Sequence, residues 1–499
     1  MTDSPPPPPI QRPAPDHRHL DRALARGIVW TAALKWFTQV LSWLSTIIIA
    51  RILAPNDYGL MGMATVYIGL VQLVNEAGLG AAIVQRRHLT REQIARLGGL
   101  SILLGVAFAA LSVSLSGLVA GFFDQPDVRW LVIALSTTFV TTAFQVLPRS
   151  LMQRDLRYPR LAAIEGVEAI AVTIGTLAFA FAGFGYWALA LGNIGGRLLS
   201  TVVAVAWYPH PVAWPRQLKT LAGEIAFGSH IVLSRIAWYV YNNADTVVVG
   251  RVLGQAALGA YSMAWTMASV PVDRVSALVA RVTPGIFATV QRELDVLRRY
   301  LLLLTEGIAL VTFPLAAGLA LVADLFVPVV LGEQWRGAVV PLQLLALYGG
   351  FRSIATLPPQ VLVAVGHSRR SMQFSIVAAI VLPLAFLVGS RWGTVGVALG
   401  WIIGYPLVAL TLFFRASLRA IGLPAREYAR SLWPAAVSTG LMAAAVAAVR
   451  QFAVPEGTMA DPIRLAALVA TGVVTYAAVV WWRYRDRVTA FLAVWRRRS

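Results

Sequence analysis

Four residues of one apolar segment are of types that carry charge or hydrogen bonds, and their spacing gathers them. Arg235, Trp238, Asn242 and Asp245 follow i, i+3, i+7 and i+10, the interval at which side chains share a helix face. Two hundred positions earlier, Lys35, Thr38, Ser42 and Ser45 repeat that spacing with a cation again in the lead. A guanidinium or ammonium can pair with an anion, an indole offers a broad apolar face, and a carboxylate can hold a proton or a sodium ion. In hydrocarbon each of these groups is costly unless it faces protein or a water-filled lumen.

Further polar groups sit in other apolar segments: Gln72, Asn75 and Glu76, then Glu165 and Glu168, then Arg197. Ser262, Trp265, Ser269 and Asp273 share one helix face, followed by Arg274, Glu306 and Arg352. Lys35, Arg235 and Arg352, with Trp238, Asn242 and Trp265, are the candidates for cargo contact in a lumen. Asp245, Glu76 and Asp273 are the candidates for a coupling ion, proton or sodium. Mutual pairing is the competing explanation for all of these charges, and the favoured one for Glu165, Arg274 and Glu306, which lie near segment ends. Arg51 and Arg251 end their segments at an interface, where capping of terminal carbonyls and anchoring account for them.

The elements that must position these groups are membrane-spanning helices. The chain is 58% apolar and 13% charged over 499 residues, with a mean hydropathy of +0.69. Fourteen apolar runs approach the length of about 20 residues that crosses a bilayer. Lys and Arg segregate between the connecting segments: 30 of the 42 fall in one alternating set, seven in the other and five inside the runs. Cytoplasmic loops retain such residues, so both termini are expected in the cytoplasm. Dispersal over eight segments also explains the net charge of +19 without a nucleic-acid-binding face. Residues 1–26, rich in proline, are expected to be a disordered cytoplasmic tail rather than a signal peptide.

Residues 47–64 (IIIARILAPNDYGLMGMA) and 247–264 (VVVGRVLGQAALGAYSMA) are one passage written twice. Arg51 matches Arg251, Gly59 matches Gly259, and Met63-Ala64 matches Met263-Ala264. A duplication of this length in an apolar chain is the mark of a transporter whose halves rock about a site between them.

Other chemistries find no support. Cysteine is absent, and the six histidines stand at 17, 19, 88, 210, 230 and 367 without metal-ligand spacing, so neither a metal site nor a cofactor is expected. No Walker-type phosphate loop is present. The loops of the poorly charged side, about fifteen residues at most near 450–464, are too short for a catalytic domain, which weighs against a membrane glycosyltransferase. The chain is therefore not expected to be an enzyme.

Residues 50–90, ARILAPNDYGLMGMATVYIGLVQLVNEAGLGAAIVQRRHLT, resemble the first hairpin of Wzx-type polysaccharide flippases of the WzxC branch. So do LPRSLMQRDLRYPRLAAIE (147–165) and NNADTVVVGRVLGQAALGAYSMAW (242–265). These proteins belong to the multidrug/oligosaccharidyl-lipid/polysaccharide exporter superfamily. The resemblance implies an all-α integral membrane fold of fourteen transmembrane helices. Two pseudo-symmetric six-helix bundles (27–208 and 225–415), joined by a cytoplasmic linker (209–224), would be followed by a final helix pair and basic tail (416–499). It implies transfer of an oligosaccharide linked through pyrophosphate to undecaprenol between leaflets of a bacterial inner membrane. Membrane lipids and polysaccharide polymerase or export machinery would be its neighbours. A cation-coupled small-molecule antiporter of the same superfamily is the alternative, and a lumen with more basic than acidic groups weighs against its usually cationic cargo.

Overall fold

The computed structural model describes residues 39–77, 80, 83, 90–214, 236, 238–455, 457 and 459–496, with the side chains of 74–77, 278, 280–282 and 486–496 excepted. Among the described residues all regular structure is helical. Ten stretches are long and apolar enough to cross a membrane, and Gln39–Ile52 is a shorter apolar helix. Lys35, Arg235 and the Pro-rich 1–26 segment lie outside the described residues, as do the side chain of Glu76 and most of the 209–224 linker.

Helix α1 (Gln39–Ile52) leads through a tight turn into α2 (Pro55–Ala77). Helices α3 (Arg91–Phe123) and α4 (Asp127–Arg154) form an antiparallel pair, and α5 (Tyr158–Phe181) and α6 (Tyr186–Trp207) form another. Thr90 starts α3 with a capping box: its Oγ1 accepts from the Gln93 amide while Gln93 Oε1 accepts from the Thr90 amide. That box starts α3 at Arg91, six residues before the apolar run 97–121, because the cap decides where the helix begins rather than the hydropathy.

Polarity in α3 is the reverse of a soluble helix. Gly98, Ser101, Gly105, Ser112 and Ser116 are buried, whereas Leu103, Val106, Leu111 and Leu118 are exposed. Small residues let α4 approach closely, and Ser101 Oγ donates to the Ala143 carbonyl at 3.1 Å. Hydrocarbon solvent favours such an arrangement, since apolar side chains need no burial there.

In the second half, α7 (238–248) runs through a π-helical turn, Val249–Leu253, into α8 (Gly254–Val290). Helix α9 (Leu294–Phe326) ends in a second π turn, Val327–Leu331, and is followed by α10 (Val339–Ala355) and α11 (Leu357–Ala364). Helix α12 (Ser368–Gly389) pairs with α13, a continuous rod over 393–420 with π-helical stretches at Gly400–Gly404 and Ala409–Phe414. Helices α14 (Ala425–Ala448) and α15 (Asp461–Arg496) pack together against α9.

The duplicated passages meet each other. Helices α2 and α8 cross where a Cβ on Gly59 would overlap the carbonyl oxygen of Gln255, and one on Gly259 would overlap that of Pro55. Glycine is required at both positions because each backbone occupies the other's side-chain space. Met63, Ala64, Met263 and Ala264 are buried beside the crossing in the largest apolar cluster. Around it, Gln334 Nε2 donates to the carbonyls of Ala50 (2.7 Å) and Leu53 (3.1 Å), and Trp335 Nε1 donates to Ala50 (2.7 Å).

Arg51 does not cap its own helix. Its Nε donates to the Val330 carbonyl at 2.9 Å and its Nη2 to that of Val329, so it closes the end of α9 from across the seam, while Arg251 stays exposed. This end of the molecule is the far end. At the opposite, basic end lie the turns at 155–157, 291–293, 365–367 and 421–424, with most of the arginines around them.

Candidate functional site

In the first half, α4, α5 and α6 enclose a polar cavity of about 600 Å³ near the basic end. Thr142, Gln145 and Arg149 of α4 share a face at i, i+3 and i+7, as do Tyr158, Leu161, Glu165 and Glu168 of α5. Arg197 of α6 completes the wall. It comes this close because Gly192 and Gly196 press α6 onto α5: a Cβ on Gly196 would overlap Val172, and one on Gly192 would overlap Thr176. Gln145 Nε2 then ties α4 to α6 through Ser200 Oγ at 2.8 Å and Thr201 Oγ1 at 2.6 Å.

The charges of this cavity are unevenly satisfied. Arg149 Nη2 bonds Glu168 Oε2 at 2.6 Å, and Ser200 Oγ donates to the same oxygen at 3.2 Å. The Nε of Arg149 is buried without a partner among the described residues. Arg197 makes one long bond to Thr142 Oγ1 at 3.4 Å, and that hydroxyl also accepts from Gln72 Nε2 at 2.8 Å. An arginine fork held so loosely, among amides and hydroxyls, can receive phosphate or carboxylate oxygens without breaking a strong bond.

The second half gathers Arg352, Trp265, Asp273 and Asp245 into one chain of contacts. Arg352 of α10 forms an ion pair with Asp273 of α8, and its guanidinium lies 5.7 Å from the Trp265 ring centroid and 6.0 Å from that of Tyr348. Trp265, Tyr348 and Trp401 are in mutual ring contact, with Tyr348 and Trp401 closest at 4.9 Å. Trp401 Nε1 donates to Asp245 Oδ2 at 2.8 Å, as does the Tyr261 hydroxyl at 2.8 Å, while the Thr246 amide donates to Oδ1 at 2.7 Å.

Trp401 points inward from a π-helical stretch, where the wider turn shifts side-chain direction. Gly400 beside it lets Phe386 pack on the indole, with ring centroids 4.8 Å apart. The three donors and the ring wall leave Asp245 2% exposed. A polar group this deep in an apolar segment reads from sequence as lumen-facing, whereas the fold encloses this carboxylate between two aromatic donors. Arg352 and Asp273 are paired rather than free, as the pairing alternative requires.

Trp238 is exposed, and the Asn242 side-chain amide donates to the Trp238 carbonyl within their own helix at 2.8 Å. Neither meets the Arg352 cluster through a hydrogen bond or ring contact. Reading by spacing missed Arg149, Gln145, Tyr261 and Trp401. By hydropathy Arg149 falls just past an apolar run, 130–148, and reads as a loop residue, yet α4 continues to Arg154 and carries it to the cavity wall. Tyr261 and Trp401 are 16 and 156 residues from Asp245, beyond what periodicity within one helix connects. Among the described residues no group of three His, Cys, Asp or Glu side chains could hold a metal ion.

Residues 48–340, more than half of the chain, match the family described as "Polysaccharide biosynthesis protein". The lipopolysaccharide biosynthesis protein WzxC of Escherichia coli (strain K12) is 27% identical over 414 residues, 82% of this chain and 83% of that protein. The teichuronic acid biosynthesis protein TuaB of Bacillus subtilis (strain 168) is 27% identical over 466 residues, 92% of this chain and 95% of its own. Among solved structures, the lipid II flippase MurJ in an inward closed conformation aligns with a TM-score of 0.73 at 13% identity, covering 92% of this chain and all of that one. The fold is thus a transporter fold, and the chain belongs to the polysaccharide biosynthesis protein family.

Proposed function

We propose that this protein is a flippase that carries an undecaprenyl-pyrophosphate-linked oligosaccharide from the cytoplasmic to the periplasmic leaflet by alternating access. The observation that carries the reading is the cavity of about 600 Å³ in α4–α6, with Arg149 and Arg197 among amides, hydroxyls and two glutamates. A pyrophosphate-sugar head desolvated without partners would cost many kcal/mol in hydrocarbon, so a polar chamber with available guanidinium groups is what its passage needs. Arg352 beside Trp265 and Tyr348 supplies a second cation over aromatic planes. Lys35, Arg235, Trp238 and Asn242 are retained as cargo contacts of this reading. Asp245, Glu76 and Asp273 are its candidates for a proton or sodium site.

In this reading fourteen helices cross the inner membrane with both termini in the cytoplasm. Bundles at 27–208 and 225–415 rock about the α2/α8 seam, and the far end is periplasmic. The protein acts without catalysing a covalent step and delivers to polymerase or export machinery. Tags at residues 90, 155, 290 and 490 should report cytoplasm, and tags at 125, 332 and 456 periplasm. A periplasmic signal at 155 or 290 removes the topology.

The decisive experiment replaces Arg197 or Arg352 with Gln in a strain lacking the native copy. Polymer export should fall while lipid-linked oligosaccharide accumulates on the cytoplasmic leaflet and protein level holds. Arg197→Lys should be milder, because the charge remains although the bidentate fork is lost. Normal export by both Gln variants would reject these cations as cargo contacts.

A further inference from the structure

At the basic end, where α12 starts and α13 finishes, Arg370, Arg415 and Arg419 stand around a separate cleft of about 560 Å³ walled by Phe374, Leu412 and Ala416. Arg415 and Arg419 are one helical turn apart on one face of α13, and Arg370 reaches the cleft from α12. All three are exposed, no acidic residue lines the cleft, and none of the three has a carboxylate partner among the described residues. Setting membrane orientation requires positive charge in a loop but not its convergence, and three guanidinium groups around one space repel unless an anion joins them.

The surroundings indicate what kind of anion that is. Along α12 away from the arginines, Val377, Val381, Leu384 and Val388 continue the face of Arg370 and Phe374 and are 38–58% exposed. On α13, Ile403, Leu407 and Leu410 are exposed as well. These ridges face hydrocarbon, so the cleft joins a cationic head site to an apolar track. No residue of the first half lines it. Among the described residues its lining is shared neither with the α2/α8 seam nor with the α4–α6 cavity.

We propose that this cleft binds the head group of a dianionic bilayer phospholipid carrying two phosphates, of the cardiolipin class, with its acyl chains along the α12 and α13 ridges. Three guanidinium groups match two phosphates better than one, and basic pockets between membrane helices are suited to such head groups. Its assignment to the cytoplasmic leaflet rests on the charge segregation; the site itself is independent of the cargo reading.

The test uses the full-length protein purified in detergent, with lipid retention read by native mass spectrometry and by thermal stabilisation. Cardiolipin, phosphatidylglycerol, undecaprenyl pyrophosphate and inorganic pyrophosphate are the probes. Cardiolipin should be retained in preference to phosphatidylglycerol. The Arg370→Gln/Arg415→Gln/Arg419→Gln variant should lose about tenfold or more of that affinity, whereas a charge-matched Arg91→Gln/Arg426→Gln/Arg430→Gln control should keep it. The corresponding triple Lys variant should stay within about threefold of the parent. Equal retention by the Gln triple, or equal loss in the control, overturns the proposal. Preference for undecaprenyl pyrophosphate would make the cleft a cargo dock instead, and equal competition by inorganic pyrophosphate would deny any role to the apolar track. The four probes on the unaltered protein decide the lipid class even if the Gln triple fails to fold.

Discussion

Charged groups in the first half stand around open space, whereas Asp245 and Arg352 in the second half are packed against rings. Arg197 touches its wall through one 3.4 Å bond, while Asp245 holds three donors at 2.7–2.8 Å and is sealed by Trp401 and Tyr261. Yet the helices that bear on both regions cross at matched glycines, Gly59 and Gly259, with the same Met-Ala pair beside each. The duplication has thus kept its backbone contact and let the interiors diverge. A loosely held guanidinium can reorganise around a ligand, while a saturated carboxylate in an aromatic box resists change. On the proposed function, the first half is built for an exchangeable head group and the second for a fixed arrangement that responds as a unit.

The shared element is the place to break this comparison most severely. Gly59→Val or Gly259→Val forces side-chain atoms into the opposing carbonyl, a cost of about 3 kcal/mol or more where neither backbone can yield. Export should fall by roughly tenfold or more, and both substitutions should act alike. The chain has no cysteine, so a Leu53→Cys/Gln334→Cys pair reports seam closure directly. Unchanged cross-linking in either Val variant would mean that the crossing tolerates a side chain.

A smaller effect sharpens the second half alone. Asp245→Asn keeps size but sets an NH2 donor against either the Tyr261–Trp401 pair or the Thr246 amide, which should cost about 2–3 kcal/mol. Asp461→Asn, whose parent side chain is 61% exposed beside Arg464, should stay within about 0.5 kcal/mol. Thermal unfolding of both variants checks the order, and equal melting would deny Asp245 its role as the hub of that cluster.

In the first half the corresponding test is a double-mutant cycle on Arg149→Gln and Glu168→Gln. The pair is about one third exposed, so water screens it, and a coupling of about 1 kcal/mol is expected. A coupling as large as the Asp245 effect would show that the cavity is as rigid as the ring cluster. The smallest effect belongs to Glu333, whose pKa Arg336 holds below the usual carboxylate range by hydrogen bonding. Such a pair adds stability above the unfolded-state pKa and loses it as pH falls through the lower folded value. Both side chains are about two-thirds exposed, so water screens the pair and Glu333→Gln should match the parent in melting temperature at pH 7 and at about pH 4.

Much of the architecture was legible in the chain. Long apolar runs announce helices, and the 47–64 and 247–264 passages announce a contact that the crossing glycines realise. Within the site, helix periodicity placed Trp265 and Asp273 on one face, and both reach Arg352. Periodicity holds only within one element, so the bonds of Asp245 to Trp401 and of Gln145 to Ser200 and Thr201 were beyond it. Charge counting also misled at Arg149, because a tally of loop arginines has no information on where a helix stops. The capping box at Thr90 was readable as Thr-x-x-Gln and would have corrected the start of α3.

The far-end closure has a consequence for the energy of opening. Its cross-seam bonds at α1 and α9 all end on main-chain carbonyls at helix termini: Ala50, Leu53, Val329 and Val330. The Arg51 bonds are exposed and the Gln334 bonds half-buried, so these can exchange a side-chain donor for water with little net change in hydrogen bonding, whereas the Trp335–Ala50 bond is buried. Parting there substitutes hydration for protein contacts one by one, whereas the same bonds placed in hydrocarbon would each leave an orphan. On the proposed function, a latch whose exposed bonds trade for water needs only a modest difference in cargo affinity between two states to work it.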